Sequence, residues 1–211
     1  MAEYAPDAAA SEAERHCAHG NCKNKIYSTR KEGPRCILHS DMPDKAAKFD
    51  EVLLLMLANR DFNFEGVWFP KGADFEDFHF TANANFANAI FQGEAEFGCA
   101  LFDGSANFYG AQFNFTANFG ASNFSSPADF RRAHFATRTQ FEEARFIEDA
   151  DFSSAVFLQN ASFREAEFHK GTAFHAEFMG AAQFDRARFF SRASFEGTQL
   201  CCDCRALSNR V

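Results

Sequence analysis

The sequence predicts an all-β fold built from one repeated unit, a solenoid in which short extended segments stack coil upon coil. Three observations carry this. The 211 residues include 30 Phe against 3 Tyr and 1 Trp, whereas ordinary cores mix Leu, Ile, Val and Phe. From Phe64 to Phe195 those Phe recur in steps that alternate five and six residues, a beat of 11, with Leu200 in the next place. Two residues before the centre the chain favours a small residue, Ala at 19 of the 26 centres. A self-similar beat of this kind is the mark of a repeat architecture.

The beat also selects the local structure. Residues i and i−2 of an extended chain point to the same side, so each segment sends one large and one small side chain inward. The residue between them, commonly Asp, Asn, Gln, Ser or a charged residue, points out. A helix of 3.6 residues per turn cannot hold a five/six spacing on one face over 140 residues. Short extended pieces joined by tight corners can. Four pieces make one coil of 22 residues, and residues 22 apart then stack in columns. One column is Phe75, Phe97, Phe119, Phe141, Phe163 and Phe184; another is Phe86, Phe108, Phe130, Phe152, Phe174 and Phe195. The step from Phe174 to Phe178 is one residue short, and the pattern then resumes at Phe184. Phe62, Val67, Phe78, Ser122, Thr139, Thr172 and Thr198 replace Ala in the small position. Phe62 and Phe78 lie near the N-terminal end, where the preceding helix leaves extra room.

The other segments follow in chain order. Residues 1–15 are rich in Ala and Glu without periodicity and read as a disordered tail. Residues 16–40 hold three of the seven cysteines and three histidines. Residues 41–60 read as a helix, with Asp41 at the N-cap and Pro43 in the first turn. Ala46, Phe49, Leu53, Met56 and Leu57 form its apolar stripe, which suits a cap on the N-terminal end of the solenoid over 61–200. Residues 201–211 form a short tail. The longest apolar run, Val52–Ala58, falls far short of the roughly 20 residues a membrane helix needs. The N-terminus lacks a basic and then apolar stretch, so no secretory signal is expected.

Within residues 16–40, Cys17, Cys22, Cys36 and His39 form C-x4-C-x13-C-x2-H. Three thiolates and an imidazole in two pairs around a hairpin-sized loop suit tetrahedral Zn²⁺. So short a segment cannot bury a core unaided, and a metal supplies the missing folding energy. Four protein ligands leave no open position, so the zinc is expected to be structural. His16 and His19 are substitute ligands, and free thiols in a loop are the alternative. Cys201, Cys202 and Cys204 form a second thiol cluster, read as loose solvent-exposed thiols. Thiol ligands imply a reducing compartment, so a cytoplasmic protein is expected.

At the level of its ADF, ANF, ASF and AQF tripeptides, the sequence over about 62–200 resembles the pentapeptide-repeat family. That resemblance implies a right-handed, four-sided β-helix. The near-exclusive Phe centres and the 11-residue beat are shared with a subset of the family. Residues 16–60 with FNFEGVWFP also resemble the N-terminal module of some pentapeptide-repeat proteins.

Function is less legible. The net charge of −8 argues against general binding to nucleic acid or an anionic membrane. The zinc segment is locally basic, but no base-reading helix follows it in the usual arrangement. No Gly-rich phosphate loop, G-x-S-x-G or H-E-x-x-H appears, and the histidines of the repeat are scattered, so no enzyme is expected. Residues 61–130 carry nine acids and one base, against ten and nine over 131–200. Ile90, Val156, Leu158 and Met179, with Gln112 and His134, fall on one outer side. The expected role is a rigid, non-enzymatic protein-interaction scaffold in a bacterial cytoplasm, with assembly into a homo-oligomer through an end or face as a further option. The competing reading, which the family resemblance implies, is an acidic mimic of DNA that regulates a type II topoisomerase (gyrase).

Overall fold

In the computed structural model the described residues are Cys17, His19, Cys22, 26–30, 33–42 and 45–200. The expectations for residues 1–15, for His16, for Pro43 and for Cys201, Cys202 and Cys204 lie outside them. The described chain opens with an antiparallel hairpin of β1 (Ile26–Arg30) and β2 (Gly33–Cys36), followed by helix α1 (Ala46–Ala58). Two-residue strands then run from β3 (Trp68–Phe69) to β27 (Gln199–Leu200). They form four parallel sheets of six, seven, six and six strands, in each of which every fourth strand of the chain is a neighbour. The result is a quadrilateral β-helix of about six turns.

Each strand is short because only the inward Ala-to-Phe stretch is extended. Every five-residue step turns through a corner closed by a backbone bond, as in Ala100 N–H to Phe97 O at 3.1 Å and Ala144 N–H to Phe141 O at 3.2 Å. The second residue after the Phe takes φ near +55 to +60°, at Asp77, Asn88, Cys99, Ala121, Arg132, Glu143, Ser154, Glu165 and Arg186. A turn with a left-handed third residue usually calls for Gly, yet few of these are. From Asp77 to Glu165 their backbone N–H groups, such as Asn88 to Tyr109 O at 2.7 Å, bond to the next coil, which holds the conformation in place. The short step falls at one such corner. Phe174, His175, Ala176, Glu177 and Phe178 lack the left-handed residue, and Ala176 N–H closes directly on Phe174 O at 2.7 Å. Deleting that residue tightens the corner without rotating the inward set, so the columns continue through Phe157–Phe178 at 4.7 Å and Phe168–Phe189 at 4.9 Å.

The core is four columns of stacked rings. Within a column, centroids lie between 4.6 Å (Phe69–Phe91) and 5.2 Å (Phe75–Phe97) apart. The two predicted columns meet edge to face across the axis, as in Phe108–Phe119 at 5.3 Å and 85°. Both arrangements suit the ring quadrupole. The small slots are as dry as the Phe positions. Where a hydroxyl replaces Ala it bonds to backbone, locally at Ser122 (Oγ to Phe119 O, 2.7 Å) and Thr139 (Oγ1 to Thr137 O, 3.4 Å) and to the preceding coil at Thr198 (Oγ1 to Phe174 O). Outside, rows of like residues bond along the stack, as Asn107 Nδ2 to Asn85 Oδ1 and Asn85 Nδ2 to Asn63 Oδ1, both 3.0 Å. On another face Glu167 accepts from Arg145, Arg188 and His169. Partial burial raises the Glu167 carboxyl, but the His169 hydrogen bond and the two guanidinium charges outweigh it, and the net shift is downward.

At the N-terminal end α1 lies across the first rings. Phe49 is buried with its ring 5.4 Å from Phe69, edge on. Val52, Leu53, Met56 and Leu57 pack against the same core. Phe62 and Phe78 fill the space over Phe80, at 5.3 and 4.7 Å. The helix begins later than the sequence predicts. Its N-cap is Lys45, without a side-chain cap, and not the exposed Asp41. The reason is that the Lys45 side chain is drawn inward to backbone carbonyls. The helix ends in a Schellman motif: Arg60 takes φ 55° and donates to Leu57 O, and Asp61 donates to Met56 O.

Candidate metal centre

The hairpin ends in the turn that carries the predicted ligands. Cys36 terminates β2, and Ser40 N–H bonds to Cys36 O at 2.9 Å, which folds His39 back over Cys36. Cys22 N–H bonds to His19 O at 2.9 Å and shapes the turn between Cys17 and Cys22. Cys17, Cys22, Cys36 and His39 converge, their donor atoms all within 4.8 Å of one another. His39 Nδ1 lies 3.1 Å from Cys36 Sγ and 3.5 Å from Cys17 Sγ, and Cys22 Sγ is 3.8 Å from Cys36 Sγ. The last separation is nearly twice a disulfide bond length, and among the described residues none of the three cysteines forms a disulfide. A Cys3His group at these distances can bind a metal ion.

The first coil completes the site. His39 Nε2 donates to Glu65 O at 2.9 Å, which leaves Nδ1 as the unprotonated nitrogen facing the thiols. Such a bond fixes both tautomer and ring plane of a histidine ligand. His19 does not join the cluster. Its ring stacks on His39 at 4.1 Å and 14°, and burial, with His39 and Arg35 nearby, lowers its pKa. Gly66, at φ 62°, gives that ring room, because a Cβ there would sit 2.1 Å from His19 Cε1.

Lys45 is the residue that sequence reasoning missed. It is wholly buried, yet its ammonium donates to Trp68 O at 2.6 Å, Ile37 O at 2.9 Å and Leu38 O at 3.2 Å, and lies 4.7 Å from the Phe49 ring centre. Burial pushes its pKa down to about 7, against the upward pull of Cys36 and Asp41. No sequence signal announces it, since its partners are backbone carbonyls up to 23 positions away.

The outer face predicted from the columns is also present. Trp68, Ile90, Gln112, His134, Val156 and Glu177 are register partners along one sheet. Beside that row Leu158 and Met179 are exposed on adjacent coils, as is Phe115 farther round the corner. Along the strands the acids meet only in short register pairs, Asp129 with Asp151 in one sheet and Asp74 with Glu96 in another. The latter row continues through Asn118, Gln140, Ser162 and Gln183. Among the described residues no helix is long and apolar enough to cross a membrane.

A four-sided coil with a Phe and a small residue on each side defines a quadrilateral β-solenoid protein. A family model for pentapeptide repeats (9 copies) matches residues 130–176, and the same strand-and-corner geometry runs unbroken on both sides of that stretch. Over that stretch the chain is similar to pentapeptide repeats. No curated protein and no solved structure matches it.

Proposed function

We propose that the protein is a rigid, non-enzymatic protein-interaction scaffold whose N-terminal module is held by a structural zinc ion. The single observation that carries the metal is the fit of the donor set. Tetrahedral Zn²⁺ with bonds of about 2.3 Å to sulfur and about 2.0 Å to nitrogen sets S···S near 3.8 Å and S···N near 3.5 Å. Cys22–Cys36 at 3.8 Å and Cys17–His39 at 3.5 Å have these separations, Cys36–His39 at 3.1 Å is shorter, and all four donor atoms lie within 4.8 Å of one another. When bound, the ion supplies cross-linking between the two halves of the module, and Cys17, Cys22, Cys36 and His39 hold it. The scaffold reading is supported by the solenoid itself, which offers flat, rigid sides, and by the exposed Leu158 and Met179 beside the Trp68–Ile90 row.

Elemental analysis tests the metal: one zinc per chain is expected in the wild type and less than about a tenth of that in Cys17→Ser. Full zinc in that variant overturns the assignment. For the scaffold, the partner captured by the wild type should be lost with Leu158→Glu/Met179→Glu at unchanged stability. Inhibition of gyrase supercoiling by micromolar protein would favour the acidic DNA-mimic reading instead.

A further inference from the structure

A parallel stack has a polarity. In the sheet begun by Trp68 and Phe69, Ile90 N–H reaches back to Val67 O at 2.8 Å and Gln92 N–H to Phe69 O at 2.9 Å. Trp68 holds Ile90's place one coil earlier, so its N–H and C=O both point away from the stack, toward where a preceding coil would lie. In their place the metal-binding segment supplies partners of both kinds. Trp68 N–H donates to Leu38 O at 2.9 Å, and Lys45 Nζ donates to Trp68 O at 2.6 Å. The module therefore imitates the edge of a coil, while α1 covers the rings.

The other end has the complementary polarity. Thr172 and Phe174 donate forward to Arg192 O at 3.0 Å and Ser194 O at 2.7 Å. Ala193 and Phe195 hold the same places one coil later, and among the described residues they have no such acceptor. Phe195 is 42 % and Leu200 40 % exposed. Among the described residues this end thus presents forward-pointing N–H groups at Ala193 and Phe195, the open Phe195 ring and, in the sheet of Trp68, Leu200 in the place of Phe69, which is what the first coil would accept if the module were absent.

We propose that the N-terminal edge of the first coil is a docking surface for the last coil of a second copy, and that the metal-loaded module is the plug that masks it. The inference rests on the metal reading of Cys17, Cys22, Cys36 and His39. A second copy is the fitting occupant because only a coil of the same four-sided perimeter can meet the ladder and the ring columns together. Such a contact is heterologous and does not close, so unplugged copies add end to end.

The test uses the full chain. Trp68 is its only tryptophan and sits at the junction, so its fluorescence reports the plug. Metal content, Trp68 emission and mass by light scattering are followed before and after removal of zinc with a chelator. The expected result is loss of zinc, a shift of Trp68 emission, and at least a doubling of mass that zinc reverses. Phe195→Lys/Leu200→Lys should lose zinc and shift its emission in the same way but keep the mass of one chain. Zinc loss without growth overturns the inference and leaves the metal site standing. Equal growth in the double variant overturns it too, since the last coil is then not the occupant. A wild type that binds no zinc overturns the metal reading, and the plug with it.

Discussion

Lys45 shows how much one side chain can settle. It replaces the donor that a coil edge would provide to Trp68 O, and it also gathers the Ile37 and Leu38 carbonyls. Lys45→Met keeps the aliphatic stem and removes the donor. Leu38 O retains Trp68 N–H, so the loss concentrates at Ile37 O and Trp68 O. Leaving a buried acceptor unpaired costs roughly 1–3 kcal/mol, and the variant is expected to lose about 2–4 kcal/mol in urea unfolding followed by Trp68 fluorescence. An unchanged midpoint would mean that water takes over both carbonyls. The four metal-site residues are legible in the sequence because C-x4-C-x13-C-x2-H fixes their identity and rough geometry. Glu65 O, Gly66 and Lys45 are not, because backbone carbonyls have no sequence signature and the contacts span more than twenty residues.

At the scale of elements, α1 is apolar on two sides. Phe49, Val52, Leu53, Met56 and Leu57 face the first coil, while Leu54 and Leu55 are 66 % and 63 % exposed. The inner stripe is readable from helical spacing, since tertiary burial follows it. The start of the helix is not, because Asp41 satisfies every local rule for a cap and loses to a lysine pulled inward by the fold. The corners divide the same way. Their rhythm is plain in the five/six beat, whereas the left-handed residues are invisible, since Asp, Asn, Cys, Ala, Arg, Glu and Ser all serve. What selects φ there is the bond to the next coil and not the side chain. Leu53→Asp/Leu57→Asp places two carboxylates against the first rings and lifts the helix. The expected outcome is aggregation through the uncovered edge, read by size-exclusion chromatography. A soluble double variant of one-chain mass would show that α1 is not needed to cover that end.

For the whole molecule, the hydrogen-bonded ladders fix the spacing of coils, and this determines what a missing ring costs. Phe130 lies between Phe108 and Phe152, 4.9 Å from each, and edge on to Phe119 and Phe141 at 5.3 Å. None of these neighbours can move along the axis to fill a void without breaking its own ladder. Large-to-small changes of Phe cost about 3–5 kcal/mol, and most where the site cannot collapse. Phe130→Ala should therefore stand at the upper end of that range. Phe195→Ala, in the same column but open on one side, should cost less than about 1.5 kcal/mol, because its surroundings can relax and its ring is only partly removed from water. In a stack where each coil touches only its neighbours, stability is nearly a sum of nearest-neighbour terms. The central vacancy interrupts two such terms and the terminal one interrupts one. Denaturant unfolding of the pair discriminates the cases: similar losses at both positions would mean that the columns relax freely along the axis and that the ladders do not set their spacing.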